Sequence, residues 1–146
     1  MKTTQKVKRV QLEVYREIKS KLIGIVSAEP DYRLSLALNR KLKIGLRHVT
    51  PLTVSNGTGG GMAFSRFSYS TEYHDVTFEL VSNRQGKDFL LKSFKNVDYI
   101  LSVNDPEDET RVEQVIKNLR ETESITAVFS ININEIKDRN LQLLTR

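Results

Sequence analysis

Among the side chains suited to proton transfer near neutral pH, the chain offers two histidines, His48 and His74. His74 and Asp75, next to Tyr73, have the composition of an acid–base pair, because a carboxylate can orient an imidazole and raise its basicity. Neighbouring residues of a strand point to opposite faces, so the pair can work only if it lies in a turn. A metal site would have to recruit carboxylates from several elements around one histidine, and no Cys exists to complete it. The run Gly57-Thr58-Gly59-Gly60-Gly61 offers consecutive N–H groups of the kind that cradle phosphates. No Gly-Lys-Ser/Thr follows it, and Met62-Ala63-Phe64 reads as a strand rather than a helix, so a loop between strands is expected. No catalytic residue, metal ligand or cofactor site is therefore assigned, and the expectation leans away from an enzyme.

Another chemically informative pair is Arg33 and Asp98. Arg33 opens an amphipathic segment on its polar side, and Asp98 sits between Val97 and Tyr99 in an alternating stretch. Val97, Tyr99, Leu101 and Val103 should share one face, leaving Asp98 and Ile100 on the other. If the helix packs on that other face, with Ile100 beneath it, a bidentate Arg33–Asp98 bond can clamp helix to strand. The same helix carries Arg33, Leu36, Arg40 and Lys43 at spacings of three and four, an apolar residue amid cations. Tyr32, Arg33, Leu36, Arg40, Asp98 and Tyr99 thus form the candidate structural or binding cluster.

These residues need elements to position them. The run Leu22–Val26 has strand length, and Gly24 within it marks a bend or a close backbone approach. Pro30 opens a helix expected to reach Lys43, with Leu34, Ala37, Leu38 and Leu42 inward and Gly45 as the left-handed stop. Residues 46–54 read as extended, with Pro51 indicating an edge or a break. Phe64, Phe67 and Tyr69, then Val76, Phe78 and Leu80, read as two strands joined near 72–75. Asn83-Arg84-Gln85-Gly86 is a turn by composition, and Phe89-Leu90-Leu91 should begin another strand. After 97–103, Asp105 should cap a helix over 106–121 with Val112, Val115, Ile116 and Leu119 on one side. Ile125, Ala127, Phe129, Ile131 and Ile133 alternate as a last strand. Residues 9–17 read first as a strand, with a helix the alternative because Val7, Val10, Val14 and Ile18 also fit helical spacing.

Helices bracketing a block of strands predict an α+β fold, a single domain over 1–146 with two helices on one face of a largely antiparallel sheet. Flexible arms are expected at 1–8 and 135–146, and a flexible Gly-rich loop at 55–62. With 38% hydrophobic and 28% charged residues, the composition is that of a globular chain rather than a disordered one. No segment approaches the length of apolar chain needed to cross a bilayer. No apolar run follows the basic start, so a cytoplasmic protein without membrane contact is expected.

Two patches resemble the bacterial IPExxxVDY family. One is Leu22-Ile23-Gly24-Ile25-Val26-Ser27 followed by Asp31-Tyr32-Arg33-Leu34-Ser35-Leu36-Ala37-Leu38-Asn39; the other is Asn96-Val97-Asp98-Tyr99-Ile100-Leu101. Leu91-Lys92-Ser93 stands where the signature has Ile-Pro-Glu, and Leu36 stands where the family tends to an aromatic residue. The likeness implies a divergent member and a cytoplasmic bacterial protein, and it assigns no reaction.

The net charge of +5 is uneven, with 12 Lys/Arg against 4 Asp/Glu in residues 1–48 and 11 against 14 in the remainder. Such asymmetry can mark a surface for nucleic acid or an acidic partner, but a solvated face that aids solubility is the favoured reading. The function expected is a non-catalytic binding or adaptor domain that meets a protein partner or a second copy of itself. RNA binding through the basic residues 1–48, with Tyr15, Tyr32 or Phe64 for stacking, is the alternative. An enzyme with a pocket near Tyr32, Arg33, Asp98 and Tyr99 is the third reading.

Overall fold

The computed structural model describes residues 20–55, 61–72 and 75–144. Residues 9–17, the arm at 1–8, Tyr15, His74 and most of the Gly-rich run lie outside them. The elements are β1 (Lys21–Val26), α1 (Asp31–Leu42), β2 (Arg47–Ser55), β3 (Gly61–Ser70) and β4 (Thr77–Ser82). They continue with β5 (Arg84–Gln85), β6 (Asp88–Phe89), β7 (Tyr99–Asn104), α2 (Arg111–Arg120), β8 (Ala127–Ile131), a 3₁₀ turn at Ile133–Glu135, and α3 (Leu141–Leu144). Six strands form one sheet in the order β2-β3-β4-β7-β1-β8, and every neighbouring pair is antiparallel. The fold is α+β, as the bracketing helices indicate.

Alternation along the central strands explains how both faces are used. Ile23 and Ile25 of β1, Phe78 and Leu80 of β4, and Tyr99, Leu101 and Val103 of β7 point to one face. There they meet Leu34 and Leu38 of α1 and Val115 and Leu119 of α2, all buried. Leu22, Phe64, Val81 and Ile100 point to the second face, under Leu90, Leu91, Val97 and Leu144. Both main helices therefore cover one face, and the 90–97 segment and the C-terminal turns cover the other. Central strands buried on both sides need apolar residues in consecutive positions, and Leu22-Ile23 and Tyr99-Ile100-Leu101 supply them.

Several local expectations are corrected. Val97 does not share the face of Tyr99. The strand begins only at Tyr99, and Val97 still belongs to the preceding turn, packed in the second core. The helices lie on the Tyr99–Val103 side, so Ile100 packs under the 90–97 segment rather than under α1. The left-handed residue that stops α1 is Lys43, with φ 57°, not Gly45; the Ile44 N–H then reaches back to the Asn39 carbonyl at 3.2 Å. Helix α2 starts at Arg111 rather than 106. Asp105 organises the approach loop instead, its Oδ1 accepting the N–H groups of Glu107 and Asp108, each at 3.1 Å. Phe89-Leu90-Leu91 yields only a two-residue strand, because Leu90 and Leu91 turn inward to cap the second core. Ile125 packs on the helix side, not with Phe129, and Ile133 falls in the 3₁₀ turn. Residues 135–144, expected as an arm, are packed: Leu144 is buried and the Asn140 amide donates to the Leu90 carbonyl at 2.7 Å.

Candidate functional site

The β1–α1 connection is where the candidate residues converge, and they divide into two groups. Asp98 and Tyr99 hold the connection from below. The Ser27 N–H donates to Asp98 Oδ2 at 3.0 Å, and the Tyr99 hydroxyl donates to the Glu29 carbonyl at 2.6 Å. The Asp98 N–H itself donates to the Ile25 carbonyl at 2.9 Å, so strand, turn and carboxylate are laced together. Ser27 adds a hydroxyl bond to the Ser124 carbonyl at 2.7 Å, tying in the entry to β8. Gly24 permits the close packing beneath: a Cβ there would stand 3.1 Å from a Val97 methyl and 3.3 Å from Ile131.

Arg33 is not the partner of Asp98. It is exposed on the outer side of α1, while Asp98 Oδ1 faces Arg84 at 3.7 Å. The reason is the side chosen by the helix, which covers the Tyr99 face and leaves Asp98 near the sheet's rim with the 82–84 turn. The clamp between strand and helix exists, but it runs through the backbone of Ser27 and Glu29.

A concavity of about 550 Å³ lies beside this junction, lined by residues that include Ser27, Arg84, Asp98, Tyr99 and Thr126, but neither Tyr32 nor Arg33. The Ser27, Asp98 and Tyr99 side chains that line it are committed to the hydrogen bonds that hold the junction. Burial, with Asp31, Asp98 and Glu29 adding negative charge nearby, pushes the Tyr99 phenol up to about 12. A phenol so weakly acidic is a poor proton donor at neutral pH. A second hollow of about 320 Å³ opens on the second face between Arg66, Glu79, Thr77, Ser102, Asn104 and Leu144. There Arg66 Nη1 lies 3.8 Å from Glu79 Oε1, and its Nε donates to the Thr50 carbonyl at 2.9 Å. Neither hollow contains a nucleophile–base–orienter set. Among the described residues, no three His, Asp or Glu side chains gather as metal ligands do. His48 is exposed, its ring edge-on to Phe67 at 5.2 Å.

The second group lies on the outside of α1. Tyr32 and Leu36 are 55% and 53% exposed, two of the three large hydrophobic side chains so presented among the described residues. They stand one turn apart, and Arg33 and Arg40 are exposed beside them. At the helical angle per residue these four side chains fall within an arc of about 100°. Exposed Lys43 extends the cationic row, whereas Lys41 is paired with Glu121 of the α2 end at 3.3 Å. Sequence spacing puts Arg33, Leu36, Arg40 and Lys43 on the outer side of the helix, and they are exposed there; what it misses is Asn83, a buried amide read as an ordinary turn residue.

No family model matches the chain, and no curated protein matches it. No helix among the described residues is long and apolar enough to cross a membrane.

Proposed function

We propose that this chain is a non-catalytic binding module that uses the outer face of α1 to engage an acidic, amphipathic segment of a protein partner. The observation that carries the reading is the exposure of Tyr32 and Leu36 beside Arg33 and Arg40. An apolar pair supplies contact area, Tyr and Arg are the residue types that anchor interfaces, and the flanking cations select a partner of opposite charge. The junction beneath supports this use, since Asp98 and Tyr99 fix the start of α1 and hold the stripe rigid. A resemblance to the IPExxxVDY family is compatible with such a role, since Asp98 and Tyr99 of the Val-Asp-Tyr stretch hold the start of the helix while Val97 packs in the second core.

Selection from a displayed random-peptide library, with the full chain as bait, tests the reading. Enriched peptides should carry Asp or Glu alongside Leu, Phe or Ile at helical spacing. Their affinity should fall with salt and roughly tenfold or more in Leu36→Lys, which adds a positive charge yet removes the apolar contact. Enrichment without acidic residues, or binding indifferent to Leu36→Lys, contradicts it. Tight binding of single-stranded RNA that Leu36→Lys strengthens would favour the nucleic-acid alternative.

A further inference from the structure

The two outer strands of the sheet are treated differently by the sequence. The β2 edge carries the defences of a strand that must stay unpaired: Pro51, a register shift between Val49 and Leu52, and an exposed Arg47. The β8 edge carries none. Ala127–Ile131 contains no proline or charge and shows no register shift against β1. Phe129 stands 41% exposed on it, and among the described residues no strand pairs with its outer side. An uncharged, regular edge with an exposed aromatic is a template for another strand.

We propose that β8 is the interface between two copies of this chain, whose sheets join edge to edge into one continuous sheet. The copies are related by a two-fold axis at Phe129, so that β8 runs antiparallel to β8 of the second copy. Three observations favour a second copy over a foreign strand. First, residues 125–134, Ile-Thr-Ala-Val-Phe-Ser-Ile-Asn-Ile-Asn, hold no charge, so the strand meets itself without like-charge repulsion although the whole chain is +5. Second, antiparallel pairing keeps paired residues on one face, which sets the two exposed Phe129 rings side by side as a cross-strand aromatic pair. Third, the helix above is self-complementary. Helix α2 packs on β8. Its Gln114 and Asn118 flank adjoins Leu42 and Lys43 at the α1 end, so Glu113, Ile116 and Arg120 lie on the side away from α1, toward the free edge. The axis that reverses β8 also reverses α2, bringing exposed Glu113 of each copy toward Arg120 of the other. The arrangement is isologous and closed, and no open edge from β8 remains. Both α1 stripes stay free, so the pairing goes beyond the binding role proposed for α1 and does not depend on it.

Sedimentation of the full chain across micromolar to hundred-micromolar concentrations, joined to amide hydrogen exchange, tests this. A reversible dimer is expected, with amides of 127–131 gaining protection as concentration rises. Phe129→Lys opposes two cations at the axis and should weaken the dimer roughly a hundredfold. Glu113→Arg should weaken it by a few-fold to tenfold, and Glu113→Arg with Arg120→Glu should restore it. Circular dichroism of each variant confirms that the monomer is folded. A chain that stays monomeric throughout overturns the proposal and leaves the edge to a strand from another protein. A dimer indifferent to both Phe129→Lys and Glu113→Arg, with no concentration-dependent protection of β8, also overturns it.

Discussion

Removing the Asn83 side chain should unsettle the entire second face of the sheet. Asn83 is fully buried at the end of β4. Its amide donates to the Phe94 and Val97 carbonyls, each at 2.9 Å, and its Oδ1 accepts the Leu91 N–H at 2.7 Å. Its own backbone N–H donates to the Asp98 carbonyl and its carbonyl accepts the Leu90 N–H, both at 2.9 Å. One residue thus holds the 90–98 segment as a lid over the core. In Asn83→Ala the Leu91 N–H and the Val97 carbonyl lose these partners in a dry setting, while the Phe94 carbonyl keeps the Val97 N–H at 3.1 Å. Two orphaned groups at about 1–3 kcal/mol each give a loss of roughly 2–6 kcal/mol. That is a large share of the about 5–15 kcal/mol that stabilises a typical domain. Urea unfolding followed by far-UV circular dichroism measures it directly. Asn83→Asp is the sharper control. Its carboxylate can still accept from Leu91 but faces two carbonyl oxygens, so it should be no more stable than Asn83→Ala at pH 7. Burial raises that carboxyl above its unfolded value, so Asn83→Asp should regain stability as the pH falls. A loss below about 1 kcal/mol for Asn83→Ala would refute the reasoning.

Other perturbations read the junction and the loops. Because the Tyr99 phenol is pushed from 10.0 to about 12, its contribution is complete below pH 10 and lost as the pH rises toward 12. The wild type should lose stability across that window, and Tyr99→Phe, already lacking the bond to Glu29, should lose much less in alkaline denaturation. Burial favours protonation of Asp105, but the Arg111 hydrogen bond at 2.7 Å and the Glu107 and Asp108 N–H groups outweigh it and hold the carboxyl below its usual range. Its stabilisation is therefore present above about pH 4 and disappears at lower pH, and Asp105→Asn should flatten the acid limb of the stability profile. Gly24→Val inserts methyls where Val97 and Ile131 already lie within 3.3 Å of a Cβ. It should cost about 1–3 kcal/mol by thermal or urea unfolding, through overpacking.

What the amino-acid sequence makes legible is whatever local periodicity controls. Leu34, Leu38, Val115 and Leu119 announce amphipathic helices, Pro51 announces an edge strand, and Gly24 announces a close approach; each occurs in the fold. The stripe of Arg33, Leu36, Arg40 and Lys43 follows from helical spacing alone and is exposed as that spacing requires, and Tyr32 is exposed beside it. What was not legible depends on residues far apart in sequence. Which side of β7 receives the helices decides whether Asp98 meets Arg33 or Ser27, and alternation gives two equivalent faces when both are apolar. Asn83 looks like any polar turn residue, because its partners lie 8, 11 and 14 positions away in an irregular segment. Lys43 replaces Gly45 as the left-handed stop because Asn39 clasps Leu46 through both its N–H and its carbonyl, which closes the turn sooner.

The claim that α1 is the recognition surface is tested most directly by mapping backbone amide shifts in the nuclear magnetic resonance spectrum while an acidic, amphipathic peptide is titrated in. Shifts concentrated on Tyr32, Arg33, Leu36, Arg40 and Lys43, and abolished by Leu36→Lys, are the expected result. Shifts centred on the Asp98 concavity or the Arg66–Glu79 hollow, with α1 unmoved, would contradict it.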